Sequence, residues 1–326
     1  MKRTPPSIDI TVTLVAPNDE AYWNFAAVRG ILPDTFPDDQ LFLPLIPAFK
    51  KYARQLEHII GKAESLDPDA RTVTISTASG SQRNIPYDTL VIATGSSFKE
   101  AMPFKHLSTI QETKDELHKF QNKIRAAKSV VVAGAGMTGV EVVAELGQEY
   151  ARIGAKEITL IADDDLPLTS EAKLAVRETI VHELEKNRVR IVKNTRVVDT
   201  SPEDAKGPRT LHLRSKDGKT STMVADVVLK TYGIIPNSGF VPPKMLNEAK
   251  HIKTTPSMQA EGYESIFVLG DVSSAESPSG VRKLLFDIFI SSLSLVSGAL
   301  TKSGSRNTLH VLPNYPNMAN TDPKMM

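Results

Sequence analysis

An α/β fold of two doubly wound units, the second inserted into the first, is what this sequence predicts, on three observations. A Gly-x-Gly-x-x-Gly turn, VVVAGAGMTGVE from Val130 to Glu141, lies between a β-branched run and a helix-like run. The two halves of the chain repeat one order of elements. The glycine turn sits in the second half, although such a turn usually opens a unit of this kind.

The repeat reads as follows. VTLVAPND (Val12 to Asp19) in the first half answers to ITLIADDD (Ile158 to Asp165) in the second, each a β-branched run ending in a turn. TVTISTASGSQ followed by PYDTLVIATG answers to TLHLRSKDGKT followed by ADVVLKTYG. Each pair reads as a hairpin and then an apolar strand ending in Gly, with Ser79-Gly80 and Asp217-Gly218 as the turns. The glycine turn precedes ITLIADDD by about two dozen residues, the usual strand–turn–helix span. The same offset puts a first glycine turn roughly a dozen residues before Met1. The turn in this chain is therefore expected to be the second fingerprint of a two-fingerprint protein.

Around that turn, SVVVAGAG reads as a buried parallel strand and TGVEVVAELGQEYARI as a helix, with Val140, Val143, Leu146 and Tyr150 on one face. Thr169 or Ser170 is expected to cap the next helix, EAKLAVRETIVHELEKN, on an apolar stripe of Leu174, Val181 and Leu184. Strands RVRIV and TRVVDTS follow. The inserted unit is expected over residues 103–225, and the outer one over 1–102 and 226–326.

Composition bounds the chemistry. The chain has no cysteine, which excludes disulfides, thiolate catalysis, zinc–thiolate sites and iron–sulfur clusters. Redox chemistry would need an external cofactor, and no metal site is expected. A net charge of +1 over 326 residues gives no field drawing the protein to nucleic acid. MKRTPPSIDI has no apolar h-region, so no signal peptide is expected. LLFDIFISSLSLVSGAL carries Asp287 and several serines, which suits a buried core helix better than a membrane span. A cytoplasmic location follows as the expectation.

Each glycine of the fingerprint has a physical task. Gly134 allows the tight turn, Gly136 lets the backbone approach a pyrophosphate, and Gly139 lets helix and strand pack closely. The helix N-terminus supplies free N–H donors and a positive partial charge. Ala162 stands where an acid would bind the adenosine ribose, with Asp163, Asp164 and Asp165 after it and no adjacent Arg for a 2′-phosphate. The acids disfavour NADP, and the missing acid weakens the match to NAD; as residues of a solvated turn the three acids need no ligand. Glu141 is expected on the first turn of the helix, where it complements the dipole or lies near a nicotinamide. IFVLGDVSS (Ile266 to Ser274) ends a strand in Gly270-Asp271, an acid that can accept hydrogen bonds from a ribityl chain, or act as a turn residue. VIATGSS (Val91 to Ser97) and TYGIIPN (Thr231 to Asn237) are strand-ending loops whose small residues permit close approach to a cofactor.

GAGMTGVE, VIATGSS, YGIIPN and IFVLGDVSS, in that order, resemble the flavoprotein oxidoreductases with two Rossmann-like dinucleotide domains, of the pyridine nucleotide-disulphide reductase type. APNDEAYWNFAAVRGI resembles their AMID branch, the apoptosis-inducing-factor-like, ferroptosis-suppressor-type NAD(P)H:quinone oxidoreductases related to type II NADH dehydrogenases. The likeness runs from about Thr11 to about Ser303. It implies that NAD(P)H binds the inserted unit and passes hydride to FAD, which then reduces a quinone-like small acceptor. The cofactor carries the chemistry, so no catalytic acid or base is implied. By match, Asp271 and Gly270 would contact the flavin. Arg29, after the Asn-x-Ala-Ala run, would contact FAD, and Ala63, before Leu66-Asp67, its adenine. Ala93, Thr94 and Gly95 would line the flavin cleft, while Gly134, Gly136, Gly139 and Glu141 would hold the nicotinamide cofactor. The resemblance also implies peripheral membrane contact.

Two departures from the family bear on function. Its Gly-rich strand–turn–helix for the FAD pyrophosphate precedes the matching residues, and without it two strands of the sheet are expected to have unpaired edges. The C-terminal LHVLPNYPNMANTDPKMM, rich in Pro and Asn, differs from the family's closing segment. Three readings therefore stand: a flavin oxidoreductase in shortened form, a tailoring oxidoreductase of specialised metabolism with another acceptor, and a non-catalytic NAD(P)H-binding remnant without FAD.

Overall fold

The structure is a computed structural model that describes residues 10–201, 207–275 and 307–311, with the backbone alone for Lys51 and 307–311. The apolar segment Leu284–Leu300, expected as a core helix, lies outside the described residues. The chain divides into two compact units: unit 1 (residues 1–22, 42–97 and 235–326) and unit 2 (residues 23–41 and 98–234).

In unit 1 the chain first lays down β1 (Ile10–Ala16) and β2 (Glu20–Tyr22). After residues 23–41, which carry the short helices α1 (Ala27–Gly30) and α2 (Asp38–Leu41) in unit 2, it returns as β3 (Phe42–Pro44) and α3 (Leu45–Ala48). β2 and β3 pair antiparallel, and Tyr22 stacks on Phe42 with ring centroids 4.8 Å apart. β4 (Leu56–Asp67), β5 (Thr72–Thr77) and β6 (Gln82–Pro86) form an antiparallel meander, followed by β7 (Thr89–Ile92) and β8 (Ser96–Phe98).

The longer stretch of unit 2 has α4 (Ile110–Ala126) as its first helix. Thr109 Oγ1 accepts from the Glu112 N–H, and the Glu112 carboxylate accepts from the Thr109 N–H. β9 (Ser129–Ala133), α5 (Met137–Leu146), β10 (Glu157–Ile161), α6 (Leu174–Lys186) and β11 (Arg190–Val192) then build parallel β-α-β turns. β12 (Thr195–Thr200), β13 (Arg209–Ser215) and β14 (Thr220–Ala225) form an antiparallel layer, and β15 (Val227–Lys230) returns beside β9. The inserted unit therefore ends at Ile234 rather than residue 225, because β15 completes its sheet. Leu211, Leu213 and Ala225 of the antiparallel layer pack on Val131, Ile161 and Val228 of the parallel sheet.

β16 (Ile234–Pro236) pairs with β8, and the chain re-enters unit 1 to add β17 (Gln259–Ala260), β18 (Tyr263–Val268) and β19 (Asn307–Val311). The sheet order in unit 1 is β17-β18-β7-β19-β1-β4-β5-β6, and in unit 2 it is β11-β10-β9-β15. The two align. β4, β1 and β7 hold the positions that β11, β10 and β15 hold in unit 2. The slot of β9, the strand that leads into the glycine turn, is held in unit 1 by β19.

β19 runs parallel to both neighbours, with Leu309 in register with Val12 of β1 and Thr89 of β7. The expected unpaired edges are thus absent: β1 and β7 both pair with a strand from the far end of the sequence. A parallel pair is joined by a crossover of roughly a dozen residues or more and not by a tight turn, so strands far apart in the sequence can pair in this way.

Two helix expectations need correction. α6 starts at Leu174, and neither Thr169 nor Ser170 caps it. The Ala172 N–H donates instead to the Thr169 carbonyl, so these residues form a turn before the helix. The expected stripe also shifts: Leu174 is 60% exposed, whereas Arg177 and Leu184 are buried.

Candidate functional site

In unit 2 the strand β9 is buried from Val130 to Ala133 and ends in Gly134, whose φ of 106° belongs to the region glycine favours. A Cβ on Gly139 would lie 1.9 Å from the Gly134 carbonyl oxygen, so only glycine lets α5 approach the strand at this point. A Cβ on Gly136 would meet nothing within 4 Å. Gly136 is the N-cap of α5, with no side-chain cap on the N–H groups that follow. This backbone is open to an anion and carries the donors and dipole to hold one.

Thr231, at the end of β15, completes the turn. Its hydroxyl is 2.9 Å from the Gly134 carbonyl and 3.1 Å from that of Ala133, and its N–H donates to Ala133. The sequence places Thr231 only in a strand-ending loop, since a contact over nearly a hundred residues leaves no local signal.

Glu141 is the fifth residue of α5, past its first turn, which contains no acid. The dipole therefore does little for it. Loss of water around the carboxylate, and then the Glu145 charge, push its pKa up. Arg29 on α1 does not pair with Glu141; its guanidinium is 3.5 Å from the Glu145 carboxylate, and both residues lie in unit 2.

The loop after β10 is held from α6. Arg177 is buried and donates to the carbonyls of Pro167 at 2.9 Å, Leu166 at 2.8 Å and Leu168 at 3.3 Å. The Leu168 N–H in turn donates to the Ala135 carbonyl inside the glycine turn.

In unit 1 the loops after β7 and β18 converge, as their parallel pairing requires. Ala93, Thr94 and Gly95 are half-buried, and Gly95 has a φ of 65°. Asn237 fastens this loop: its Nδ2 donates to the Thr94 carbonyl and its N–H to the Gly95 carbonyl, both at 2.9 Å. Thr94 Oγ1 donates back to the Asn237 carbonyl at 2.7 Å, and Ser97 Oγ to Asn237 Oδ1. Ser96 Oγ donates to Asp271 at 2.6 Å, linking the two loops. Gly270 has a φ of 75°, and a Cβ there would meet nothing within 4 Å. Ala63 lies on β4 in register with Ile75, with β19 and β1 between β4 and β7 in the sheet. The sequence singles out Thr94, Gly95 and Asp271 and places Ser96 and Asn237, which supply the links, only within strand-ending loops.

Nine of the eleven expected residues fall at two places, Gly134, Gly136, Gly139 and Glu141 in unit 2 and Ala93, Thr94, Gly95, Gly270 and Asp271 in unit 1, while Arg29 lies in unit 2 beside Glu145 and Ala63 on β4 of unit 1. Among the described residues no group of three or more His, Cys, Asp or Glu could hold a metal ion, and no helix is long and apolar enough to cross a membrane.

Residues 9–299 match the pyridine nucleotide-disulphide oxidoreductase family. The chain is 36% identical to oxidoreductase ptaL of Pestalotiopsis fici, over 82% of this chain and 70% of that one. It is 30% identical to oxidoreductase phnG of Penicillium herquei, over 82% and 68%. Ferroptosis suppressor protein 1 of Mus musculus is 26% identical over 83% and 70%. Among solved structures, the sulfide:quinone oxidoreductase of Aquifex aeolicus superposes with a TM-score of 0.68 at 19% identity, over 89% of this chain and 72% of that one. NDH2 of Plasmodium falciparum in complex with NADH gives 0.63 at 17% identity, over 81% and 59%. At these identities both show the fold alone.

Proposed function

Because this chain belongs to the pyridine nucleotide-disulphide oxidoreductase family, a family of flavin-type NAD(P)H oxidoreductases, we propose that it takes hydride from NAD(P)H through FAD to a quinone-like small acceptor. The observation that carries this reading is the open backbone at Gly136, heading α5 directly after a buried parallel strand. α5 would hold the NAD(P)H pyrophosphate on its free N–H groups. Thr231 keeps the turn in shape, and Glu141 borders the nicotinamide.

The loops of unit 1 fit the ribityl end of a flavin. Asp271 offers a carboxylate to sugar-like hydroxyls, oriented by Ser96, and the bare Gly270 lets backbone approach. The Thr94–Asn237 bonds keep the neighbouring loop fixed, so Ala93 to Gly95 form a rigid wall against a planar ring. Ala63 and Arg29 are further proposed contacts to FAD, on the resemblance of their sequence surroundings. FAD, when bound, supplies a two-electron relay between the nicotinamide and the acceptor. The chain's own groups bind and orient; none is required to move a proton. The quinone-like acceptor and a peripheral membrane contact rest on the AMID-type resemblance, and co-sedimentation with phospholipid vesicles tests the latter.

One observation favours a second reading, that of a nicotinamide-binding protein without flavin. In unit 1 the slot equivalent to β9 is filled by β19, and no glycine turn equivalent to Gly134–Gly139 is present among the described residues. The purified chain, mixed with FAD and desalted, decides. A retained flavin band bleached by NADH or NADPH supports the oxidoreductase. A folded protein that binds NAD(P)H and retains no flavin supports the second reading.

A further inference from the structure

The antiparallel layer of unit 2 has the order β12-β13-β14, and its two edges are built differently. Along β12 the pairing slips between Val197 and Asp199, which leaves Val198 in a bulge. Arg196 and Asp199 are exposed on this strand. The Thr195 N–H donates to the Ala162 carbonyl at the end of β10, and the Thr200 N–H to Asp199 Oδ1, each at 2.8 Å. A bulge, charged side chains and N–H groups answered nearby are the means by which a sheet edge turns away a further strand.

β14 has none of these. Thr220 to Ala225 include no charged residue, no proline and no bulge, and the register with β13 is unbroken from Arg214–Thr220 to Arg209–Ala225. Thr220, Ser221, Thr222 and Val224 are exposed, Val224 by 61%. The hairpin fixes which backbone groups are committed. The Ser215 N–H donates to the Lys219 carbonyl. Bonding alternates from there along an antiparallel pair, so Ser221, Met223 and Ala225 bond to β13. Thr220, Thr222 and Val224 turn their N–H and C=O groups outward, where no described residue receives them. Their side chains share the face opposite Met223 and Ala225, which pack toward the parallel sheet.

From this edge we infer that β14 is a dimer interface: it pairs antiparallel with β14 of a second copy of this chain, about a two-fold axis through Thr222. The register is self-complementary. Thr222 exchanges both backbone bonds with Thr222 of the partner subunit, and Thr220 exchanges both with Val224 of the partner subunit. A slip by one residue sets outward groups against committed ones, and a slip by two loses an end pair, so only the centred register uses every outward group. The side chains that meet are Thr with Thr and Thr with Val, β-branched pairs that suit a strand pair and carry no like charges. Lys219, just before the strand, lies 2.7 Å from Asp217 and is already paired.

The difference between the edges also sets the size of the assembly. Pairing through β14 joins two three-stranded layers into one antiparallel layer that ends on both sides in β12. Those ends turn strands away, so growth stops at two chains. A peptide from another protein would find the same backbone groups, but side chains that repeat about Thr222 favour the chain itself. The inference is independent of which cofactors the chain holds. A contact between two short strands is at the small end of specific interfaces, so the dimer should be weak, with a dissociation constant on the order of 10 μM.

The chain has no cysteine, so a single introduced one reports the contact. Opposed residues of a bonded antiparallel pair are about 5.5 Å apart at Cα, within disulfide reach. Mildly oxidised Thr222→Cys should run as a linked dimer on a non-reducing gel, and Val198→Cys, exposed on the β12 edge, should run as a monomer. Sedimentation of the natural full chain should show a monomer–dimer equilibrium. Thr222→Pro removes the central N–H, and Val224→Lys puts a charge on the edge; each should weaken the dimer by about tenfold or more. Circular dichroism checks that the variants fold, and Val224→Lys alone decides if Thr222→Pro does not. A natural chain that stays monomeric up to about 100 μM, well above the expected constant, overturns the inference. So does a dimer that a folded Val224→Lys leaves unchanged, equal linking of the two cysteine variants, or growth beyond two chains.

Discussion

The Thr231 hydroxyl lies 2.9 Å from the Gly134 carbonyl oxygen, although 97 residues separate the two along the chain. The glycine turn is therefore braced from β15 as well as by its own backbone. Thr231→Val keeps the shape and removes the donor. It should cost about 1–2 kcal/mol in urea unfolding and weaken NAD(P)H binding several-fold. Gly139→Ala should do more damage to binding, because its Cβ collides with the backbone of Gly134 itself. Nucleotide titration of both variants checks the order; equal binding by natural chain and Gly139→Ala would show that the turn does not hold the cofactor.

A second relationship, Ser96 to Asp271, bears on flavin. Asp271→Asn replaces one acceptor oxygen by a donor and removes the charge. It should reduce FAD retention by about tenfold or more, as expected for a hydrogen bond to an ionised group. Ser96→Ala leaves the carboxylate in place and removes one bond to it, so its loss should be smaller. Desalting followed by the visible spectrum gives the ranking, and the reverse order would place the ribityl contact on Ser96 instead.

Much of this arrangement is legible in the sequence. The two hairpins follow from their turns, and Gly80 and Gly218 have the positive φ those turns need, 82° and 86°. The buried face of α5 follows from 3.6-residue spacing: Val140, Val143 and Leu146 are all buried. Another element carries a signal that is easy to pass over. Thr109 and Glu112 have the spacing of a capping box, which marks the start of α4 without any glycine or repeat to draw attention to it. Other features have no local signal. Thr231 and Asn237 act across strand crossings, and Arg177 is buried on a helix whose expected apolar stripe did not include it. A charged side chain that satisfies buried carbonyls looks, in one dimension, like a solvent-facing one.

pH separates two carboxylates. Glu141 has a raised pKa, so the folded state takes up a proton more readily than the unfolded chain. Its contribution is complete below the unfolded value and is lost as pH rises through the folded one. Glu141→Gln should therefore raise the melting temperature at pH 7 relative to the natural chain and converge with it near pH 4, while weakening nicotinamide binding. A melting difference independent of pH would mean that the carboxylate is no more desolvated than in the unfolded chain.

Asp226 behaves in the opposite sense. The N–H groups of Ser129 and Lys128 donate to its carboxylate, both at 2.8 Å, and hold its pKa down. Its stabilisation is present above the unfolded carboxylate range and is lost as pH falls through the folded value. Asp226→Ala should destabilise unit 2 by about 1–3 kcal/mol at pH 7, and the gap to the natural chain should narrow in acid. Thermal melts at several pH values give the slope.

The strand Asn307–Val311 poses the sharpest test of the fold. It pairs with β1 from Ile10 to Leu14 and with β7 from Thr89 to Val91, in the middle of the unit 1 sheet. A central strand cannot lose an N–H without breaking its ladder, and proline is found in sheets essentially only at edges and bulges. Leu309→Pro should therefore release both neighbours together. Amide hydrogen exchange should quicken in β1 and β7, while β9 and β10 of unit 2 keep their protection, because their sheet is built from other strands. If β1 and β7 stay protected in the variant, another segment pairs with them, and the equivalence of β19 with β9 falls. If they exchange quickly and FAD retention is lost with NAD(P)H binding kept, the far end of the sequence is shown to complete the flavin unit.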